Sequence, residues 1–384
     1  MPERTPPVVE RAAEKRVGWA ELFFDLVFVV AVTRVSAVIE EDHSGEGLLR
    51  ALVVFAPAYW LWVGTSVQAN LRDTERPWFR VQLFGIALAA VFMALAVPEA
   101  YRHLGLLYGV AYWFGRIVLG AGMVLDGVRA RRWPVNPYLV SMVLTGPMLI
   151  VGGLLDGRAR LVLWAVAAVT DLSTPSLLRR WLRPMHYDAG HLTERFGLFV
   201  LIAIGESVVA AGTSADAAHL SVAQGFAVAA AFLLDCGLWW VYFHFAADAM
   251  RHSLATARVQ LDITRLVLSY GHLAFIAGIV LISVGLRSSV HAPGERLDPA
   301  VAGLLYGGCA LFLAAFGFTR WAMFRLVSWT RLSAAAVVVV ALPVALPAPA
   351  LTSLVVLGSI LAVLNVVEMV RVGRLRPRHV MLSG

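Results

Sequence analysis

The sequence predicts an all-α protein: a polytopic bundle of about twelve membrane-spanning helices in two parallel six-helix repeats. Composition is the first reason. Of the 384 residues 59% are hydrophobic and 15% charged, and the mean hydropathy is +0.75, more apolar than a soluble domain tolerates. Apolar length is the second. Stretches such as residues 81–97 and 337–364 lack the alternating polarity of a barrel strand, and in lipid a helix satisfies its own backbone polar groups. The third is a set of short motifs that recurs in the same order in both halves.

Residues 1–18 are polar, carry three prolines and lack the apolar core of a cleavable signal, so a cytoplasmic tail is expected there. The first repeat, 19–185, holds spans at 19–39, 49–69, 81–97, 104–125, 139–155 and 161–178. The second, 186–371, holds 196–213, 222–246, 266–286, 301–318, 332–346 and 351–370, before a second cytoplasmic tail at 372–384. Pro343, Pro347 and Pro349 surround the turn between the last two spans. Asp171-Leu-Ser-Thr-Pro175 predicts a broken helix in the sixth span, since proline removes a backbone donor and crowds the preceding turn. A kink satisfied by Ser173 or Thr174 is the competing reading.

Basic residues set the expected orientation. With both termini inside, roughly 22 Lys and Arg fall on the cytoplasmic side and roughly 6 outside. The inner clusters are Arg72, Arg76 and Arg80; Arg129, Arg131 and Arg132; Arg179, Arg180 and Arg183; Arg320, Arg325 and Arg331; and the tail from Arg371. They predict a multi-pass protein of the cytoplasmic membrane and account for the net charge of +7 without nucleic acid.

Four motif pairs suggest duplication. Glu21-Leu-Phe-Phe matches Glu194-Arg-Phe-Gly, and Arg80-Val-Gln-Leu recurs as Arg258-Val-Gln-Leu. Gly105-Leu-Leu-Tyr-Gly recurs as Gly303-Leu-Leu-Tyr-Gly, and Leu182-Arg-Pro as Leu375-Arg-Pro. Six spans is an even number, so both repeats enter the membrane the same way.

Ionisable residues inside the spans are the candidate site. Glu21 and Asp25, four apart, share one helical face about a turn apart, and two such acids need either a cation opposite or a held proton. A helix N-terminus that favours acids explains Glu21 better than the deeper Asp25. On the seventh span Glu194 and Arg195 lie at the inner edge, and Gly205, Glu206 and Ser207 lie about 18 Å further along. An ionised carboxylate there costs at least ~2.5 kcal/mol, so Glu206 needs a partner, for which Arg116 on the fourth span is the expected counter-ion. A packing-only pair is the alternative. Asp171, Asp235, His244 and His272 lie at graded depth, as in proton relays. His244, Asp248 and His252 have ligand-like spacing on a single helix, which rarely supplies a whole metal site, and no metal or other cofactor is expected. Cys236 and Cys309, both in apolar helices, are expected to pack as small hydrophobes. No GxxxxGK[ST], GxSxG or HExxH motif occurs, and no catalytic residue is assigned.

At Glu21-Leu-Phe-Phe-Asp-Leu-Val-Phe-Val and Glu194-Arg-Phe-Gly-Leu-Phe-Val-Leu-Ile-Ala-Ile-Gly-Glu-Ser the chain resembles the bacterial low temperature requirement A (LtrA) family of multi-pass membrane proteins. The Trp239-Trp-Val-Tyr-Phe segment fits as well, and the resemblance covers nearly the whole chain. Its motif positions map to Glu21, Asp25, Glu194, Arg195, Gly205, Glu206 and Ser207. The resemblance implies a role in growth in the cold and no particular substrate. Three readings follow: a proton- or ion-coupled permease for an unnamed small molecule or ion, a non-catalytic component supporting cold adaptation, and a lipid-headgroup enzyme. The first is the leading expectation. The sequence leaves the oligomeric state open.

Overall fold

The computed structural model describes residues 15–129, 136–215 and 220–375, with side chains from 122–129 and 372–375 excepted. Most of both expected tails, Arg131, Arg132 and the Arg376-Pro377 part of the last recurring motif lie outside the described residues. Twelve long helical segments account for nearly all the rest. They are α1 (Trp19–Glu41), α2 (Gly45–Leu71), α3 (Pro77–Glu99), α4 (Gly105–Arg129), α5 (Pro137–Leu154) and α6 (Gly157–Leu177). The remainder are α7 (Ala189–Ser214), α8 (Val222–Thr256), α9 (Gln260–His291), α10 (Pro299–Phe324), α11 (Trp329–Ala345) and α12 (Ala350–Leu375). Among the described residues nine are long and apolar enough to cross a membrane, the exceptions being α4, α6 and α11.

Most helices begin earlier than the apolar runs suggest, and polar residues or prolines at their first turns fix the starts. Asp188 accepts the His191 N–H at 2.9 Å, which opens α7 at Ala189, seven residues before the apolar run at 196. Ser221 and Gln224 form a capping box at the start of α8, and Pro77 and Pro299 occupy first-turn positions where a missing N–H costs nothing. The break expected at Pro175 is absent: α6 runs on to Leu177. Pro175 cannot bond the carbonyl four residues back, and the Thr174 hydroxyl donates to that Asp171 oxygen at 2.7 Å instead. Irregularity appears elsewhere, as wide π-type turns at Ser141–Thr145, Trp240–His244 and Thr264–Gly271.

Each half packs by the same scheme. In the first, α1 lies on α2 and α3, α3 on α4, α4 on α5, α5 on α6, and α6 returns to α2. In the second, α7 lies on α8 and α9, α9 on α10, α10 on α11, α11 on α12, and α12 returns to α8. The halves meet where α1 and α2 touch α7, and where α1 touches α9. An aromatic core fills that seam. Trp62 stacks on Phe199 at 4.3 Å and meets Phe196 edge-on at 4.9 Å, while Phe28 and Tyr59 close the other sides of Phe199. The end of the bundle that carries the start of α1, here the Trp19 end, also carries the exposed Trp19, Trp78, Trp181, Trp321 and Trp329. Arg72, Arg180 and Arg325 lie over three of these rings.

Candidate functional site: three buried charge clusters

The first cluster sits on the seam at the Trp19 end. The four-residue spacing of Glu21 and Asp25 does put both on one face of α1, and Arg195, one turn along α7 from His191, faces them. Arg195 gives Nη1 to Glu21 at 2.6 Å and Nη2 to Asp25 at 2.6 Å, with all three side chains buried. Trp62 Nε1 donates to Asp25 at 2.8 Å, and the Gly18 N–H to Glu21 at 2.9 Å. Asn70 is fixed by two bonds to the Asp188 backbone and donates to His191 Nδ1 at 3.1 Å. With the Asn70 amide donating to Nδ1, His191 donates Nε2–H to Glu21 at 3.3 Å. Two acids share one guanidinium, and only Asp25 Oδ2 and Arg195 Nε are left without a hydrogen bond. Beside the cluster Lys15 caps the last carbonyls of α2, at Ala69, Asn70 and Arg72. Burial lowers its pKa, opposed by the charges of Glu21, Asp188 and Asp73.

The second cluster lies within the first half and corrects an expected pairing. Arg116 faces Asp171 at 3.7 Å, not Glu206. The π-type turn of α5 presents Ser141 and Thr145 to Asp171, each donating at 2.8 Å, and Tyr112 donates to its other oxygen. Arg116 gives Nε to Tyr112 at 2.9 Å, which leaves its Nη2 without a hydrogen bond.

The third cluster lies toward the opposite, Glu41 end. Glu206 stands eight residues before the end of α7, roughly 12 Å below it at 1.5 Å per residue. Its cation is Arg287 near the end of α9, at 3.9 Å, and Arg287 holds Glu40 more closely, at 2.9 Å. Thr33 and Ser283 flank the Glu206 carboxyl. Ser207 points the other way and donates to Asp235 on α8 at 2.8 Å. Glu206 Oε2 and Asp235 Oδ2 have no hydrogen-bond partner, though the residues are only 4% and 1% exposed. A polar vestibule of about 560 Å³ opens above them, lined by Glu40, His43, Arg287, His291 and Asp298 among others. Arg287 thus touches the vestibule on one side and Glu206 on the other.

A family model described as bacterial low temperature requirement A protein matches residues 16–366. The chain belongs to the LtrA family. A relative, an uncharacterized protein of Rhizobium meliloti (strain 1021), is 30% identical over 324 residues, covering 81% of this chain and 78% of its own. No solved structure gives a significant match. All three clusters of this LtrA protein fall within the matched residues.

The other expected positions are placed as follows. Glu194 is exposed on the outer face of α7, one helical step away from the buried Arg195. Arg34 is also exposed and has no ion pair among the described residues. His244, Asp248 and His252 are exposed, and no group of three metal-ligating side chains is gathered among the described residues. His272 is buried, donating Nδ1–H to the Val267 carbonyl at 3.0 Å and accepting the Tyr242 hydroxyl at 2.7 Å. Glu40, Arg287, His191 and the bidentate Arg331–Glu368 pair, at 2.8 Å, escaped sequence reasoning. Their signal was the spacing of His191 from Arg195 and of Glu40 from Ser36, one turn on a shared face.

Proposed function

We propose that this LtrA protein is an ion-coupled permease of the cytoplasmic membrane, built of two parallel six-helix repeats (19–185 and 186–371) with both termini inside. Glu206 and Asp235 carry the coupling proton or monovalent cation. One observation bears most of the weight: two buried carboxylate oxygens lack partners beneath a polar vestibule. Glu40 and Glu206 share Arg287, and Asp235 has only the Ser207 hydroxyl. An uncompensated charge in a low-dielectric interior costs several kcal/mol, and a bound proton or cation offsets that cost. The vestibule supplies the entry path, with Arg287 at its floor as the movable element. Glu21 and Asp25 enter this reading as the tie between the halves, not as ion sites, since Arg195 already holds both. The matching packing schemes of the two halves support the repeat, and the tryptophan and arginine belt supports a cytoplasmic Trp19 end.

Infrared titration of the protein in membranes tests the ion site. Wild type should show a protonated-carboxyl band near neutral pH, or a carboxylate shift on adding Na⁺ or K⁺, that is lost in Glu206→Gln/Asp235→Asn. A spectrum unaffected by those substitutions removes both residues from coupling. A second reading, a non-catalytic membrane component supporting cold adaptation, draws on the well-paired Arg331–Glu368 and Arg195 contacts. It requires growth in the cold to survive replacement of Glu206 and Asp235 by Gln and Asn.

A further inference from the structure

We propose that the cleft between the halves at the Trp19 end binds a small organic carboxylate, its head held by Arg116 and Arg265 and its apolar body lying against Trp60 and Tyr138. The cleft encloses about 70 Å³ and is walled by α2, Arg116 of α4, the start of α5, the end of α6, the 178–188 connection and the start of α9. One water needs ~10–15 Å³ on this measure, so the space suits a compact molecule of several atoms. Three lining residues each carry a buried atom without a hydrogen bond: Arg116 Nη2, Arg265 Nε and Thr264 Oγ1. All three can donate. No Asp or Glu is among the lining residues; Arg116 and Arg265 each face an acid outside the lining, Asp171 at 3.7 Å and Asp262 at 3.6 Å, and both acids take closer donors. Asp171 takes hydroxyls from Tyr112, Ser141 and Thr145, and Asp262 takes Arg179 through two bonds of 2.6 and 2.7 Å.

Arg116 is 2% exposed, so its spare N–H is a buried donor with a desolvation cost that an anion's oxygen would recover. Gly64 keeps the space beside it open. A Cβ there would stand 3.1 Å from Arg116 Nη1 and 3.4 Å from the Tyr138 ring. Most of the remaining wall is apolar or aromatic, including Val63, Val67, Met185 and Tyr187. Excess donors in an apolar recess select an acidic head on an apolar body over a hydrated inorganic anion.

As a cargo site this rests on the permease reading; as a binding site it does not, so the test reads binding without flux. Sodium benzoate is titrated calorimetrically into the full chain in detergent, with sodium chloride and sodium phosphate at matched ionic strength as comparisons. Benzoate should bind saturably and the inorganic anions should not. Arg265→Gln, which leaves Asp262 paired with Arg179, should weaken benzoate about tenfold, and Thr264→Val about threefold, with unliganded melting temperatures preserved. Gly64→Ala keeps every charge but narrows the room beside Arg116, and should also weaken binding. Benzoate heat no greater than that of chloride, or equal affinity in wild type and Arg265→Gln, overturns the proposal. The infrared result at Glu206 is untouched by either outcome.

Discussion

The two charge clusters on α7 differ in how many partners each acid has. At the Trp19 end Glu21 and Asp25 take two guanidinium nitrogens, an indole N–H, an imidazole N–H and a backbone N–H. Toward the Glu41 end Glu206 and Asp235 take one serine hydroxyl and a guanidinium 3.9 Å away that already serves Glu40, while Thr33 and Ser283 beside Glu206 donate to the Val29 and Val280 carbonyls. Both pairs are buried, so burial alone does not mark a working site. Partner count separates them. The better-supplied cluster, which leaves only Asp25 Oδ2 and Arg195 Nε unbonded, suits a fastener, whereas the undersupplied one has capacity for a proton, an ion or a moving cation.

The largest test of this contrast is Arg195→Met, which strands two buried acids and should destabilise the protein by about 3–5 kcal/mol in thermal melts of the purified protein. A small loss would mean that water reaches the seam and that the fastener is loose. Glu21→Gln keeps the shape and removes one charge from a bonded pair, for an expected cost of about 2 kcal/mol. Arg287→Met should cost about 1 kcal/mol or less, because a side chain at the vestibule floor is 34% exposed and its ion pair is screened. If its cost rivals that of Arg195→Met, the two clusters are alike and the contrast fails. Glu206→Gln/Asp235→Asn should leave melting within ~0.5 kcal/mol of wild type or raise it, since the substitutions remove undercompensated charge. Glu194→Gln, one residue from Arg195 but exposed, should fall within the same ~0.5 kcal/mol, and a larger change would place that acid in a contact the fold does not reveal.

Much of this architecture was legible in the chain. Apolar length located the helices, and the i, i+4 step placed Glu21 and Asp25 on one face because that geometry is local. The same rule separates Glu194 from Arg195, about 100° apart on the helix, but only the packed bundle tells which of the two looks inward. Depth along a span proposed Arg116 for Glu206, yet depth carries no information about which helices are neighbours. Asp171 on α6 was the nearer acid. Arg287 and Glu40 sit in the last turns of their helices, where hydropathy grades into loop and gives no sign of a buried partner. The π-type turn that aims Ser141 and Thr145 at Asp171 adds one residue to one turn, too little to disturb an apolar pattern.

The fastener at the seam joins residues far apart in the chain, and this shapes how the protein must be made. Glu21 emerges from the ribosome 174 residues before its partner Arg195. At synthesis rates of ~5–20 residues per second that is a wait of roughly 9–35 s. During it only Gly18 and Trp62 of the final donors are present, and the rest of what the two acids need comes from water, lipid headgroups or the insertion machinery. A nascent chain halted before α7 should therefore hold α1 shallow and open to cross-linking from the aqueous side, and settle it only when the seventh helix arrives.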